Sequence, residues 1–333
     1  MGMSRRDLVK TPLALAGASI VNLAPAVAQA LPQAQPNMMP NTEVIELWPH
    51  PPVGALHPGM TETIEETSQD PTYRSRRLKG VLKPHLVAFP AQNPNGSAML
   101  VIPGGGFAWN YFDHEGYNPA AILNRAGITC FVLFYRLPQD GWSDPANVAL
   151  ADAQRAIRVV RANAARFRIE PARVGVMGFS AGGFLAATLG TRHQAAFYAP
   201  VDAVDRLEVR PLFAAPIYPV QTLDPAFAYV DTAPSLFGRK RADPAEVRAF
   251  SPEANVTATA SPTFLVHAED DGLVPVANTT RLRDALVAQK ITVETHLFAR
   301  GGHGFGMKAE EGRPGGLWAP LLLNFAREQK LYT

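Results

Sequence analysis

A serine in a glycine-flanked turn is the residue best suited to chemistry in this chain. Ser180 stands in Gly-Phe-Ser-Ala-Gly, between an apolar run and a small-residue helical pattern. A strand, a G-x-S-x-G turn and a helix in succession form the elbow on which nucleophilic serines are carried. We expect any side chain at Gly178 or Gly182 to collide with the neighbouring strand or helix. The helix behind Ser180 would direct its partly positive N-terminal N–H groups at the reacting oxygen. The pattern therefore predicts that Ser180 is a nucleophile.

An acid and a histidine follow the serine in the order that would activate it. Glu269, Asp270 and Asp271 come directly after one predicted strand, and His303 comes after the next, among glycines. His303 would take the serine proton and return it to the leaving alcohol, while the acid would fix the imidazole tautomer. Among the three acids we choose Asp271, because we expect Asp270 to hold the turn through its backbone N–H groups.

Backbone N–H groups must also meet the negative charge that develops on the attacked carbonyl oxygen. Each such donor contributes about 10²–10³ in rate. We expect one donor at Ala181, directly after the serine, and the other at Gly105 or Gly106, in the glycine-rich segment after an earlier strand. A phosphate-binding loop is the competing interpretation of these glycines, but the Lys-Ser/Thr pair that it needs does not follow.

The elements that would position these groups alternate between strands and helices. Such alternation predicts a mostly parallel, eight-stranded sheet with helices on both faces, with the chemistry at the carboxyl ends of its strands. The eight predicted strands are 43–48, 86–90, 98–103, 128–135, the run before Ser180, 212–218, 263–267 and 292–298. Residues 219–260 show little apolar periodicity and are predicted to be an insertion, either a small lid or a surface loop. His267, at a strand end, is predicted to be structural.

Composition excludes several other classes of protein. The 333 residues are 47% hydrophobic and 18% charged, with a net charge of +2. This composition suits one large α/β domain and gives no indication of nucleic-acid binding. Cys130 is the only cysteine and is predicted to be a buried thiol. We find no metal-ligand spacing and no dinucleotide fingerprint, so neither a metal nor a cofactor is predicted.

The first thirty residues have the layout of an export signal. Arg5-Arg6 precedes a weakly apolar run, 11–27, and small residues end at Ala30. The segment 1–30 resembles a twin-arginine signal peptide cleaved after Ala30, which predicts contact with the twin-arginine export machinery and a periplasmic or secreted protein. The run is too short and too weakly apolar to be a stable membrane anchor. Residues 31–41 are predicted to be a flexible leader.

Seven motifs together resemble the acetyl-xylan and carbohydrate acetyl esterases of the α/β-hydrolase fold. They are residues 102–107, 114–116, 135–138, 152–156, 178–183, 267–275 and 301–306. The resemblance runs from about residue 82 to 325 and implies a catalytic domain over 42–333 with a Ser-His-Asp triad. In that group the acid lies four residues before the proline of a Val-Pro pair, which here gives Asp271. The oxyanion loop of the group often opens with histidine; here that position is Pro103.

Together with the predicted export signal, the resemblance implies an exported serine esterase that removes small acyl groups, acetyl above all, from fragments of plant polysaccharide such as xylan. His114, Glu115 and the aromatic residues Phe107, Trp109, Tyr111 and Phe112 would line the entrance, with packing as the alternative role for the aromatic residues. Of these, Phe107, Trp109, His114 and Glu115 are predicted to contact the substrate. A general short-chain carboxylesterase or lipase remains the alternative enzyme, and a non-catalytic hydrolase-like binding protein remains a more remote one. Some members of the group carry xylanase labels, but this sequence shows no paired carboxylates in a glycosidase setting.

Overall fold

The fold was obtained as a computed structural model that describes residues 42–50, 59–71, 73–239, 243–307 and 313–332. The strands in these residues are Glu43–Glu46 (β1), Thr63–Glu66 (β2), Arg76–Lys79 (β3), His85–Phe89 (β4), Ala98–Ile102 (β5), Thr129–Phe134 (β6), Val174–Phe179 (β7), Ala214–Ile217 (β8), Thr263–Ala268 (β9) and Val293–Phe298 (β10). The α-helices are Asn118–Arg125 (α1), Pro145–Ala162 (α2), Ala181–Thr191 (α3), Thr232–Phe237 (α4), Pro244–Phe250 (α5), Ala277–Ala288 (α6) and Gly315–Glu328 (α7).

Eight of the strands form one sheet in the order β1-β4-β6-β5-β7-β8-β9-β10. Strands β1, β4 and β6 pair antiparallel, and every pair from β6 through β10 is parallel. Strands β5 to β9 are buried along their whole length, as expected for parallel strands covered on both faces. The predicted mostly parallel, eight-stranded sheet is confirmed.

Two apolar cores lie on opposite faces of this sheet. Because successive side chains of a strand point to opposite faces, Leu100 of β5 packs with helices α2 and α3, while its neighbours Met99 and Val101 pack with α1 and α7. Cys130 on β6 belongs to the second core and is fully buried, as predicted, and burial raises the pKa of its thiol. Burying each large apolar side chain stabilises the fold by roughly 1.5–3 kcal/mol.

A separate hairpin of β2 and β3 was missing from the sequence prediction. These strands are short and polar, so their alternation was too weak to indicate a strand. The backbone N–H and C=O groups of Leu78 on β3 pair with those of Asn110 at 2.9 and 2.8 Å. This pairing fixes the hairpin beside the segment that follows the glycine-rich loop.

The predicted insertion, 219–260, contains helices α4 and α5 where the sequence indicated little regular structure. Asp243 caps α5 and forms a reciprocal capping box with Glu246, a local signal that the sequence analysis overlooked. At the base of the insertion, the Leu223 N–H donates to the Ser251 hydroxyl at 3.0 Å.

The predicted signal peptide, 1–30, and leader, 31–41, lie outside the described residues. Within the described ranges, no helix combines the length and the apolar composition needed to cross a membrane.

Candidate active site

Ser180 lies at a strained turn between strand β7 and helix α3. Its backbone has φ 51° and ψ −116°, a conformation that costs a residue other than glycine about 1–3 kcal/mol. A Cβ on Gly178 would lie 2.0 Å from the Gly182 carbonyl oxygen, and one on Gly182 would lie 2.2 Å from the Ile102 carbonyl oxygen. A Cβ atom cannot lie this close to a carbonyl oxygen, so both positions require glycine, as the sequence predicted.

The structure brings the three residues of the predicted triad together. His303 Nε2 lies 2.9 Å from Ser180 Oγ, and His303 Nδ1 lies 2.7 Å from Asp271 Oδ2. An ionised carboxylate only accepts hydrogen bonds, so this arrangement fixes the proton on Nδ1 and leaves Nε2 to accept from the serine hydroxyl. The three groups follow the carboxyl ends of β7, β9 and β10, where the fold predicted them.

Asp271 accepts hydrogen bonds on both carboxylate oxygens. Oδ1 accepts the backbone N–H groups of Leu273 and Val274 at 2.9 and 2.8 Å. Oδ2 accepts from His303 and also lies 3.1 Å from His267 Nε2. Burial opposes ionisation of this carboxyl, but the hydrogen bonds from His267 and His303 outweigh burial and hold its pKa well below the usual range. Asp271 is therefore held as an oriented anion.

The expectation that Asp270 would hold this turn was wrong. Asp271 itself accepts the N–H groups of the turn, whereas Asp270 Oδ1 accepts the Gly302 N–H, in the loop before the histidine, at 2.8 Å. His267 is fully buried, and its Nδ1 lies 2.7 Å from the Thr279 hydroxyl. Sequence reasoning treated His267 as structural and missed its contact with Asp271, which lies only four positions further along the chain.

Three N–H groups near Ser180 remain available for a developing oxyanion. Ala181 is the first residue of α3, where N–H groups have no partner within the helix. Gly105 and Gly106 have φ values of 135° and 62°, and within the described ranges neither N–H has an acceptor. The preceding N–H, of Gly104, is already donated to Glu115 Oε2 at 2.9 Å. An oxyanion hole formed by Ala181 and by Gly105 or Gly106 stays a prediction.

A cavity of about 470 Å³ opens above Ser180 and His303. All four residues predicted to contact the substrate line it, together with residues from the hairpin and from the insertion. The prediction that Phe112 would line the entrance was wrong, because its ring is buried against Tyr117 and Phe134. The remaining lining includes Tyr73, Ser75, Tyr111, Val220, Tyr229, Asp231, Thr232, Ser235, Leu273, Val274 and Arg313. One wall therefore comes from residues 219–260, whose movement as a lid stays a prediction.

Within the described ranges, no group of three or more His, Cys, Asp or Glu side chains could hold a metal ion.

The predicted substrate-contacting residues are also bonded within the protein. His114 Nδ1 lies 2.7 Å from the Tyr73 hydroxyl, and its Nε2 lies 2.8 Å from the Gly304 carbonyl oxygen. Phe107 is almost completely buried and packs edge-on against Phe184, with ring centroids 5.7 Å apart. These contacts leave both side chains little freedom to adapt to a ligand.

Two cationic side chains lie over the ring of Trp109. The Arg77 guanidinium carbon lies 3.9 Å from the centre of the Trp109 ring, and Lys79 Nζ lies 4.7 Å from it. A cation over an aromatic face is attracted by the ring quadrupole. Both cations belong to β3, so the hairpin that the sequence analysis missed fixes this wall of the cavity.

Comparison with known proteins identifies the family. The profile of the BD-FAE family matches residues 87–286, a span that includes Ser180 and Asp271. The chain belongs to the BD-FAE family. The match covers sheet strands β5 to β9, so it extends over the parallel centre of the fold and well beyond the serine motif.

Relatives of this BD-FAE family member include carbohydrate-active enzymes. It is 32% identical over 227 residues to an acetylxylan esterase of Xylanibacter ruminicola, a match that covers 67% of this chain and 44% of the relative. It is also 32% identical over 213 residues to endo-1,4-beta-xylanase B of Butyrivibrio fibrisolvens, which covers 64% of this chain and 33% of the relative. The chain thus spans less than half the length of either protein.

Among solved structures, the fold is similar to an acetyl ester-xyloside bifunctional hydrolase from Caldicellulosiruptor lactoaceticus. The TM-score is 0.71 at 31% identity, over 87% of this chain and 97% of that one. The resemblance to α/β-hydrolase esterases of the acetyl-xylan group is thereby confirmed.

Proposed function

We propose that this BD-FAE family member is an exported serine carboxylester hydrolase that deacetylates acetylated xylan or xylo-oligosaccharides. The observation that carries the proposal is the continuous series of hydrogen bonds from Ser180 Oγ through His303 to Asp271. Ser180 and His303 also line the cavity. The acetylxylan esterase relative and the acetyl ester-xyloside hydrolase neighbour support acetyl esters of xylan as the substrate class.

In the proposed mechanism, Ser180 Oγ attacks the acetyl carbonyl carbon while His303 Nε2 takes the hydroxyl proton. The tetrahedral oxyanion accepts N–H groups from Ala181 and from Gly105 or Gly106. Collapse of this intermediate breaks the bond to the sugar oxygen, which leaves as an alcohol after His303 returns the proton. A water molecule, deprotonated by the same imidazole, then attacks the acyl-enzyme and releases acetate and free Ser180.

The cavity suits a substrate larger than an acetyl group. The aromatic residues Tyr73, Trp109, Tyr111 and Tyr229 line the same cavity as Ser180. An acetyl group would fill only a small part of about 470 Å³, so most of this space is available to the alcohol part of the ester. Flat aromatic faces with polar tips suit the apolar faces and hydroxyls of sugar rings. The geometry therefore favours an acylated carbohydrate over a simple short ester.

The test is the release of free acetate from acetylated xylo-oligosaccharides, measured beside a chromogenic ester series from acetate to octanoate. We expect acetate release and a steep fall in turnover for acyl chains beyond butyrate. Ser180→Ala and His303→Ala should each abolish turnover and leave the circular dichroism spectrum unchanged. Normal activity in either variant would rule out the triad. Better turnover of octanoate without release from the oligomers would favour a general carboxylesterase or lipase, and no turnover of any ester would favour a binding protein.

Export is tested separately, because residues 1–41 lie outside the described structure. The full chain should be recovered outside the cytoplasm with a mature N-terminus after Ala30. Replacing Arg5-Arg6 with two lysines should retain the protein in the cytoplasm as an active esterase. Unchanged export of this variant would contradict the twin-arginine route and leave the esterase proposal untouched.

A further inference from the structure

Glu115 is a buried carboxylate beside the nucleophile whose role the proposed mechanism does not explain. Only 5% of its surface is exposed. Its Oε2 accepts the Gly104 N–H at 2.9 Å, and its Oε1 accepts the Tyr218 hydroxyl at 2.8 Å. A Cβ on Gly104 would lie 2.7 Å from Glu115 Oε2 and 2.9 Å from Ser180 Cβ, so the carboxylate and the nucleophile flank the same crowded point.

Tyr218 extends this contact to the loop that carries the histidine. Its hydroxyl accepts the Gly306 N–H at 3.1 Å while it donates to Glu115. Its ring packs edge-on against the His303 ring, with centroids 5.1 Å apart. Burial, together with the negative charge of Glu115, raises the pKa of Tyr218 well above its ordinary value, so the hydroxyl stays protonated as a donor.

The neighbouring residue, His114, reaches the same loop directly. With the Tyr73 hydroxyl donating to Nδ1, His114 Nε2–H donates to the Gly304 carbonyl at 2.8 Å. A Cβ on Gly306 would lie 2.7 Å from His114 Nε2, so the two segments are packed without spare room. Residues 114 and 115 lie in a single π-helical turn, a feature that is frequent at functional sites.

We propose that Glu115 is a positioning residue that holds the oxyanion loop and the histidine loop in fixed relation to Ser180. This inference rests on the proposed esterase function. By accepting the Gly104 N–H, Glu115 orients the loop so that the next two N–H groups, of Gly105 and Gly106, face the reacting carbonyl. By accepting the Tyr218 hydroxyl, it fixes the ring against which His303 packs. Two strong donors also disperse the carboxylate charge, which would otherwise oppose the developing oxyanion.

A positioning role and a substrate contact predict different kinetics. Removing a group that only contacts substrate raises KM and leaves kcat unchanged, whereas removing a group that orients the reacting atoms lowers kcat. Glu115→Ala should lower kcat by about 10²–10³, as does loss of an oxyanion donor, with KM within about threefold of wild type. Glu115→Gln should lose about tenfold, because its carbonyl oxygen can still accept the Gly104 N–H while its amide cannot accept from Tyr218.

Tyr218→Phe tests the second arm of the network and should also cost about tenfold in kcat. Because the two side chains share one hydrogen bond, Glu115→Gln combined with Tyr218→Phe should cost less than the product of the single losses. Glu294→Gln is the matched control, since Glu294 is also a hydrogen-bonded carboxylate, paired with His296 on β10 at 2.6 Å. We expect the kinetics of this control to equal those of wild type.

Covalent labelling of Ser180 by paraoxon provides a second measurement that does not require turnover. The labelling rate should fall in Glu115→Ala and Glu115→Gln in proportion to kcat, with melting temperatures that show a folded protein. Unchanged kcat in both variants, or a raised KM with kcat retained, would overturn the positioning role while the esterase proposal stood. A wild type that neither turns over esters nor becomes labelled would overturn both proposals.

Discussion

Replacing the acid with its amide is the perturbation that separates the roles of the adjacent aspartates most sharply. In Asp271→Asn the side-chain oxygen should stay at the Oδ1 position, because two backbone N–H groups point there at 2.9 and 2.8 Å. The amide NH₂ group then takes the Oδ2 position and faces His303 Nδ1, where wild type has a distance of 2.7 Å. Two donors cannot bond each other, so the imidazole adopts the tautomer with its proton on Nε2. That tautomer cannot accept the serine proton.

In other triads the same change of tautomer lowers kcat by about 10⁴, which corresponds to about 5 kcal/mol of transition-state stabilisation. We expect a loss of this size for Asp271→Asn in the hydrolysis of a chromogenic acetate ester. Asp270→Asn is the matched control, because among the described residues Asp270 accepts only the Gly302 N–H, and an asparagine oxygen can still accept it. That variant should stay within about tenfold of wild type, since a single charge-assisted hydrogen bond is weakened. Equal losses in the two variants, or the reverse ranking, would refute the assignment of the acid.

Three further outcomes follow from the same geometry. Gly182→Ala should not yield folded, active protein, because the new Cβ would lie 2.2 Å from the Ile102 carbonyl oxygen; a cooperative melt like that of wild type would contradict the tight elbow. The pKa of Asp271 is depressed in the folded state, so its contribution to stability is full above the unfolded-state pKa of about 3.9 and is lost as the pH falls through the folded-state pKa. Urea unfolding of the wild type should therefore show a loss in the free energy of unfolding at acid pH that Asp271→Asn does not show. Parallel pH profiles for the two proteins would contradict this prediction. A protonated imidazole cannot accept the serine proton, so ester turnover should fall toward acid pH, and a flat rate from about pH 5 to 8 would exclude a histidine base.

The central sheet could be predicted from the sequence because its signals are local. Strands β5 to β9 are buried on both faces and so appear as continuous apolar runs, and the serine elbow is a contiguous motif. The β2–β3 hairpin gave no such signal, since its strands are polar and it is held by pairing with the distant Asn110.

The environment of individual site residues was harder to predict, because it depends on contacts between distant segments. Glu115 was expected at an entrance, but it is buried and accepts a hydrogen bond from Tyr218, 103 positions away in the chain. The different partners of Asp270 and Asp271 depend on how the histidine loop folds back, which neighbouring residue types do not specify. The order of the motifs thus predicted that Ser180, Asp271 and His303 would meet, whereas the other contacts of the site residues depend on packing between distant segments.

Strand β8 lies between β7 and β9, so the sheet sets the spacing of the reacting groups, whereas other segments shape the substrate cavity. Adjacent strands lie about 4.8 Å apart, so the serine and acid strands are held roughly 10 Å apart by the sheet itself, a gap that the imidazole of His303 bridges. One wall of the cavity, in contrast, comes from the insertion, whose base is closed by the hydrogen bond between the Leu223 N–H and the Ser251 hydroxyl. Segments above this base can therefore diverge or be exchanged between relatives while the reacting atoms keep their spacing. One catalytic frame can in this way be adapted to different esters by replacing a single surface segment.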